Sequence, residues 1–262
     1  KYIALCEGDD YWIDPLKLQK QITEMEKHPE CHICFHPAIQ RFVDGSRDDR
    51  MLGLHSDKIT IFPTEVIILG GGGFMHTGSI ILNRLAIPRI ISFFDIAKEA
   101  PVGDYYIQIL GAENGGALYL SDVMSVYRSG VPGSWSETVS NDLNHWVSWF
   151  RSHIICYDKI NAFTKNKYSN LFSTLCKQHY SNLIRSLYLD IDVKKSILEE
   201  DMNKIDIKDR ILWNAIFKHP SIVIMLRSVH QLAKQVLSHR NRRHLKSQET
   251  LEKIRGRDAP EN

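Results

Sequence analysis

The hydrophobic pattern changes period several times along the chain. Tyr2 to Cys6 is a short apolar run with the β-branched and aromatic content of a buried strand. The polar turn Glu7-Gly8-Asp9-Asp10 follows it. Leu18, Ile22 and Met25 then recur at helical spacing, and Asp14-Pro15 supplies a cap and a first helical residue. His28-Pro29 stops that helix, and Cys31 to Val43 predicts one strand that turns at Asp44-Gly45. Residues 46–58 are charged and aperiodic, which predicts an exposed loop. Thr64 is placed to cap a helical run over Glu65 to Leu69. His76 to Leu82 reads as a loop entering a strand. Asp104, Ile107 and Leu110 predict a helix, and Ala117 to Leu120 predicts a strand, with Val123 to Arg128 following it. From Glu137 onward the pattern is helical, with Leu143, Trp146, Val147 and Phe150 on one face and helices over 192–204 and 207–217. The expectation is an α/β region over 1–136 followed by an α-helical region over 137–262.

Composition adds limits. The chain has 262 residues, 43% of them hydrophobic, so a sizeable core is possible in one domain or two. Its formal net charge is +2, which makes no global demand for a nucleic-acid partner. The five cysteines are scattered and odd in number, unlike a disulfide framework, and point to a reducing compartment. No apolar run approaches the ~20 residues of a membrane span. Charge is concentrated late: residues 218–257 hold ten Lys or Arg and two Glu, behind an apolar stripe from Ile222 to Val236. This tail reads either as a basic amphipathic helix for an anionic membrane surface or as a helix packed on its own domain.

Three stretches carry candidate chemistry. Glu7, Asp9 and Asp10 put three carboxylates within four residues just past a strand end, where open α/β sheets bind ligands. Such carboxylates repel one another unless protons or a cation intervene, and Mg2+ is commonly held by one or two carboxylates plus substrate phosphates. The alternative is a solvated turn with capping aspartates. Asp104 suits a helix N-terminus as cap or first-turn charge. Arg128 suits either a structural ion pair or a bidentate phosphate contact. Cys31, His32, Cys34 and His36 do not have the spacing of a zinc site. Gly70 to Gly73 lacks the spaced pattern of a pyrophosphate fingerprint and reads as a flexible connection, or as a mobile loop near a site.

Glu7-Gly8-Asp9-Asp10-Tyr11-Trp12, with Asp14-Pro15 and Lys17-Leu18-Gln19, resembles the metal-binding segment of bacterial family 2 glycosyltransferases of the GT-A, Rossmann-like fold. Gly103-Asp104 before an apolar helix is similar to that family's catalytic-base segment, and Tyr127-Arg128 before a Gly/Ser/Trp loop to the part that closes over the donor diphosphate. The resemblance covers the second half of such a domain. It implies a chain truncated before Lys1, since the strands that hold the base and ribose precede the acidic motif. It further implies an inverting sugar transfer from a nucleotide-sugar, a UDP-sugar, to a saccharide or lipid-linked acceptor in cell-surface polysaccharide synthesis. Asp9 and Asp10, with Glu7, would hold Mn2+ or Mg2+, and Asp104 would be the base. Arg128, Trp135 and Tyr11 would face the donor; Thr77, Ser79 and Trp12 would face the acceptor. A histidine that many relatives carry after the arginine is replaced here by Ser129 and Gly130. The implied location is the cytoplasm or the inner face of the cell membrane. A competing reading is a non-catalytic, membrane-associating or interaction protein derived from a transferase fragment, with no nucleic-acid partner in either case.

Overall fold

A computed structural model of the protein describes residues 1–45, 47–134, 143–186, 189–219 and 221. Trp135 and the basic tail lie outside the described residues. The described chain is mixed α/β, with two mixed sheets and eight α-helices. It divides into two compact units, residues 1–176 and 177–262, so the first helix after the compositional shift at 137, Leu143–Phe163, counts with the first unit.

In the first unit, one sheet has the order β1(Tyr2–Ala4), β7(Ile81–Asn83), β3(Ile33–Phe35), β8(Ala117–Tyr119), β6(Thr60–Phe62). The second has the order β2(Tyr11–Trp12), β9(Ser125–Ser129), β4(Ala38–Phe42), β5(Arg50–Leu52). The β3/β8 and β4/β9 pairs are parallel and the rest are antiparallel. Three times the chain leaves the first sheet and enters the second within a few residues: β1 to β2, β3 to β4 and β8 to β9. The acidic turn is the first of these crossings.

The strands carry most of the core. Ile33, Cys34 and Phe35 are fully buried, as a central strand requires, and Ala117, Leu118 and Tyr119 match them across the parallel pair. Met25, Cys31, Cys34, Ile81, Leu118, Leu120 and Met124 form one apolar cluster. Phe35, His55, Phe62, Phe74 and Tyr119 form an aromatic one, with His55 stacked on Phe74 at 3.9 Å. Burying the Phe35 and Tyr119 rings stabilises the fold by roughly 2–3 kcal/mol each. Helices α1(Lys17–Lys27), α2(Thr64–Gly70), α3(Ile87–Ile96), α4(Gly103–Ala112) and α5(Leu143–Phe163) belong to this unit. α6(Ser169–Arg185) runs across the division, and α7(Ile191–Asp201) and α8(Ile207–Lys218) belong to the second unit.

Several expectations change. The predicted strand over 31–43 is two strands in different sheets, because Pro37 cannot donate to a ladder. The predicted loop over 46–58 contains β5, paired with β4 by backbone hydrogen bonds that need no apolar period. β1 is an edge strand rather than a doubly buried one, with Ile3 exposed. α1 starts at Lys17, after an Asp14 turn in which Asp14 Oδ1 accepts the Leu16 N–H at 2.7 Å. Its buried face is Lys17, Gln21 and Met25, whereas Leu18 is exposed. Thr64 is the first residue of α2, and its hydroxyl donates to the Ala112 carbonyl instead of capping.

Candidate functional site

The acidic turn closes with the Asp10 N–H on the Glu7 carbonyl at 3.2 Å. One ligand oxygen from each of Glu7, Asp9 and Asp10 lies within 4.8 Å of the others. The Asp10 side chain is fully buried. Its Oδ1 accepts the backbone N–H of Arg128 at 2.8 Å, so β9 holds the turn in place. Oδ2 has no hydrogen-bond partner. His76 Nε2 comes within 3.3 Å of it but misses hydrogen-bond geometry, and is itself unpartnered. Burial, and then the Lys17 cation, hold the His76 imidazole neutral, with a pKa near 4, so it supplies no counter-charge. Burial raises the Asp10 pKa above the usual carboxylate value, against the Arg128 N–H that lowers it. The Glu7 pKa is raised too, first by desolvation of its carboxyl and then by the charges of Asp10, Asp104 and Asp9.

A cavity of about 790 Å³ opens beside this turn. Glu7 and Asp9 form one part of its wall, and Thr77 with His76 another. Asp104 and Ile107 of α4 and Tyr127 of β9 also reach it, as do Gln40, Arg50 and Leu52 of the second sheet. The Asp104 pKa is raised by burial, opposed by the N–H groups at the start of α4, including that of Tyr105 at 2.8 Å. A half-buried carboxylate with a raised pKa can take a proton from a hydroxyl at neutral pH.

The surrounding segments are fixed by particular contacts. Buried Gln108 of α4 donates to the carbonyls of Gly72 and Met75, at 2.8 and 3.2 Å, so the glycine run is held against α4 rather than loose. Trp12 donates its indole N–H to Gly78 at 2.9 Å, and buried Gln21 donates to Ser79 at 2.8 Å. These two bonds set the 76–79 segment that presents Thr77. A Cβ at Gly78 would lie 2.8 Å from His76 Nε2, so a larger residue there must displace the imidazole.

The structure thus gathers Glu7, Asp9, Thr77 and Asp104 on one cavity, with Asp10 directly behind them. Ser79 is buried and donates to the His76 carbonyl, and does not line the cavity. Trp12 and Tyr11 are likewise off its wall; Tyr11 is exposed and its hydroxyl accepts from Arg41. Arg128 donates from Nη1 to the Asp9 carbonyl at 3.3 Å, which braces the turn. Sequence reasoning left out Gln40 and Arg50, while Tyr127 of the Tyr127-Arg128 pair does reach the cavity. The Asp44-Gly45 turn was the available signal, because a hairpin turn implies a returning strand opposite β4.

No family model matches the chain. It is similar to uncharacterized proteins of Mycobacterium bovis and Mycobacterium tuberculosis, 34% identical over 146 residues. The match takes in 56% of this chain and 40% of each relative, so the chain spans about two fifths of the length of the curated relatives it matches. Among the described residues, no helix is long and apolar enough to cross a membrane.

Proposed function

We propose that this chain carries the metal and acceptor half of a metal-dependent, inverting glycosyltransferase of the GT-A, family 2 type. The observation that carries the reading is a single cavity whose wall includes Glu7, Asp9 and Asp104. The donor set fits a hard divalent cation: three clustered carboxylates, one with a buried and unpartnered oxygen. Glu7, Asp9 and Asp10 would hold Mn2+ or Mg2+. Bound there, the ion would offset charge on a nucleotide-sugar diphosphate. Asp104 takes the proton from the acceptor hydroxyl as that oxygen attacks the anomeric carbon, and the nucleoside diphosphate leaves from the opposite face. Thr77 lines the same cavity as Glu7 and faces the acceptor space. Arg128 keeps Asp9 and Asp10 in position rather than reaching across the cavity. The donor is a nucleotide-sugar and the acceptor a saccharide or lipid-linked saccharide.

The test pairs sugar-transfer assays with Mn2+ titration followed by electron paramagnetic resonance. Asp104→Asn is expected to lower the transfer rate by about 10²–10⁴-fold while leaving Mn2+ affinity unchanged. Asp9→Asn is expected to lose Mn2+ binding. Transfer at the wild-type rate by Asp104→Asn removes the base assignment. Unchanged Mn2+ binding by Asp9→Asn removes the metal site.

A further inference from the structure

The described wall of the cavity is acidic at Glu7, Asp9 and Asp104, and carries one cation, Arg50. Gln40 and Arg50 are direct cross-strand partners on β4 and β5, and Leu52 shares their face by alternation. Gln40 is buried, and its amide oxygen accepts the Arg50 Nε–H, which fixes the plane of the guanidinium. The Phe42 ring lies 5.8 Å from the guanidinium carbon. The neighbouring Arg41 contrasts with it. That side chain, on the other face of the hairpin, is neutralised by Asp49 at 2.9 Å and also bonds Tyr11. Arg50 has no carboxylate partner among the described residues, and its two terminal nitrogens form a planar fork. A fixed fork of this kind matches the two oxygens of a phosphate or carboxylate.

We propose that Arg50, oriented by Gln40, is a substrate-anion site: it binds an oxyanion group of the molecule that occupies this cavity. The chemistry is shared by two sources, the diphosphate of a donor and an acidic group on an acceptor. The proposal extends the transferase reading but is measured by binding, without turnover.

The experiment is calorimetric titration of the full chain at low ionic strength, with inorganic pyrophosphate and with glucuronate, each in EDTA and in Mg2+. Arg50→Gln is expected to weaken the anion that wild type binds by about tenfold or more, the effect of losing one charge-assisted hydrogen-bonded contact. Arg50→Lys retains part of the affinity, because it keeps the charge without the fork. Arg41→Gln leaves it unchanged. Pyrophosphate binding that needs both Arg50 and Mg2+ assigns the site to a donor diphosphate. Glucuronate binding that needs Arg50 but no metal assigns it to an acidic acceptor. Arg50→Gln binding both anions as wild type does, or wild type binding neither, overturns the proposal. Either failure alongside loss of Mn2+ by Asp9→Asn leaves the transferase reading standing. Arg50-dependent anion binding with no metal site fails that reading alone.

Discussion

Asp10→Asn separates two effects that the fold places on one carboxylate. In the protein without metal, the buried Asp10 carboxylate satisfies Oδ1 through the Arg128 N–H but leaves Oδ2 without a partner. Asparagine keeps the first contact. It also removes the charge and puts an amide donor 3.3 Å from His76 Nε2, where a small rotation of either side chain brings the donor into line with the Nε2 lone pair of the neutral Nδ1–H tautomer. Relief of an unpartnered buried charge is worth on the order of 1 kcal/mol. For a domain of this size that corresponds to a rise in melting temperature of about 2–4 °C. Metal should act in the opposite direction. At a free Mn2+ concentration about 100 times its Kd, wild type gains about 2.7 kcal/mol, or about 5–10 °C. The variant lacks one of three ligand carboxylates and should lose most of that gain. Thermal melts in EDTA and in Mn2+ are therefore expected to cross, with the variant above wild type in EDTA and below it in Mn2+. A variant that keeps the full Mn2+ shift shows that Asp10 is not a ligand. A variant that melts below wild type in EDTA shows that the Asp10 charge is well paired in the fold.

Two other sites test the framework around the cavity. Gly115 has φ +82°, and a Cβ there would lie 2.3 Å from the Glu30 carbonyl oxygen. Gly115→Ala is expected to cost about 2 kcal/mol or more in urea unfolding, and an unchanged midpoint would refute the backbone conformation. His36 is buried, and burial depresses its pKa from 6.5 to about 3. The unfolded chain therefore binds the proton first, so the His36 contribution is fully present above pH 6.5 and is lost as pH falls toward 3. Between pH 6.5 and 5.5 wild type should lose about 1 kcal/mol relative to His36→Gln, and a pH-independent difference would refute the burial of a neutral imidazole.

The carboxylates that share the cavity were legible as candidates because they sit at element boundaries that local rules mark. Three carboxylates beyond a strand, and a Gly-Asp before an apolar helix, are short-range patterns. The residues that the structure places off the cavity wall are those whose partners come from distant sequence. Trp12, Tyr11 and Ser79 are local neighbours of the motifs they were grouped with. In the fold the Trp12 N–H and the Ser79 hydroxyl are taken up by the backbone of the 76–79 segment, and the Tyr11 hydroxyl accepts from Arg41. Arg128 has the charge for a phosphate, but its place on β9 beside β2 turns it to the backbone of the acidic turn. Buried Lys17 and Gln21 on α1 also escaped a hydrophobic count. Lys17 lies over the Trp12 ring and bonds Gln21, which in turn bonds Ser79.

By itself the sequence determined the strands and helices with a clear period, the acidic turn, the start of α4 and the mixed α/β character, since these follow from propensity and spacing within a few residues. Only the tertiary structure decided that residues 31–43 divide between two sheets. Pro37 interrupts the ladder, but which sheet each half joins depends on β8 and β9, more than 80 positions later. It also decided that β5 returns beside β4 and carries Arg50 to the cavity that the carboxylates line. That placement rests on backbone pairing and on packing between distant segments, and neither leaves a periodic signal in the residues themselves.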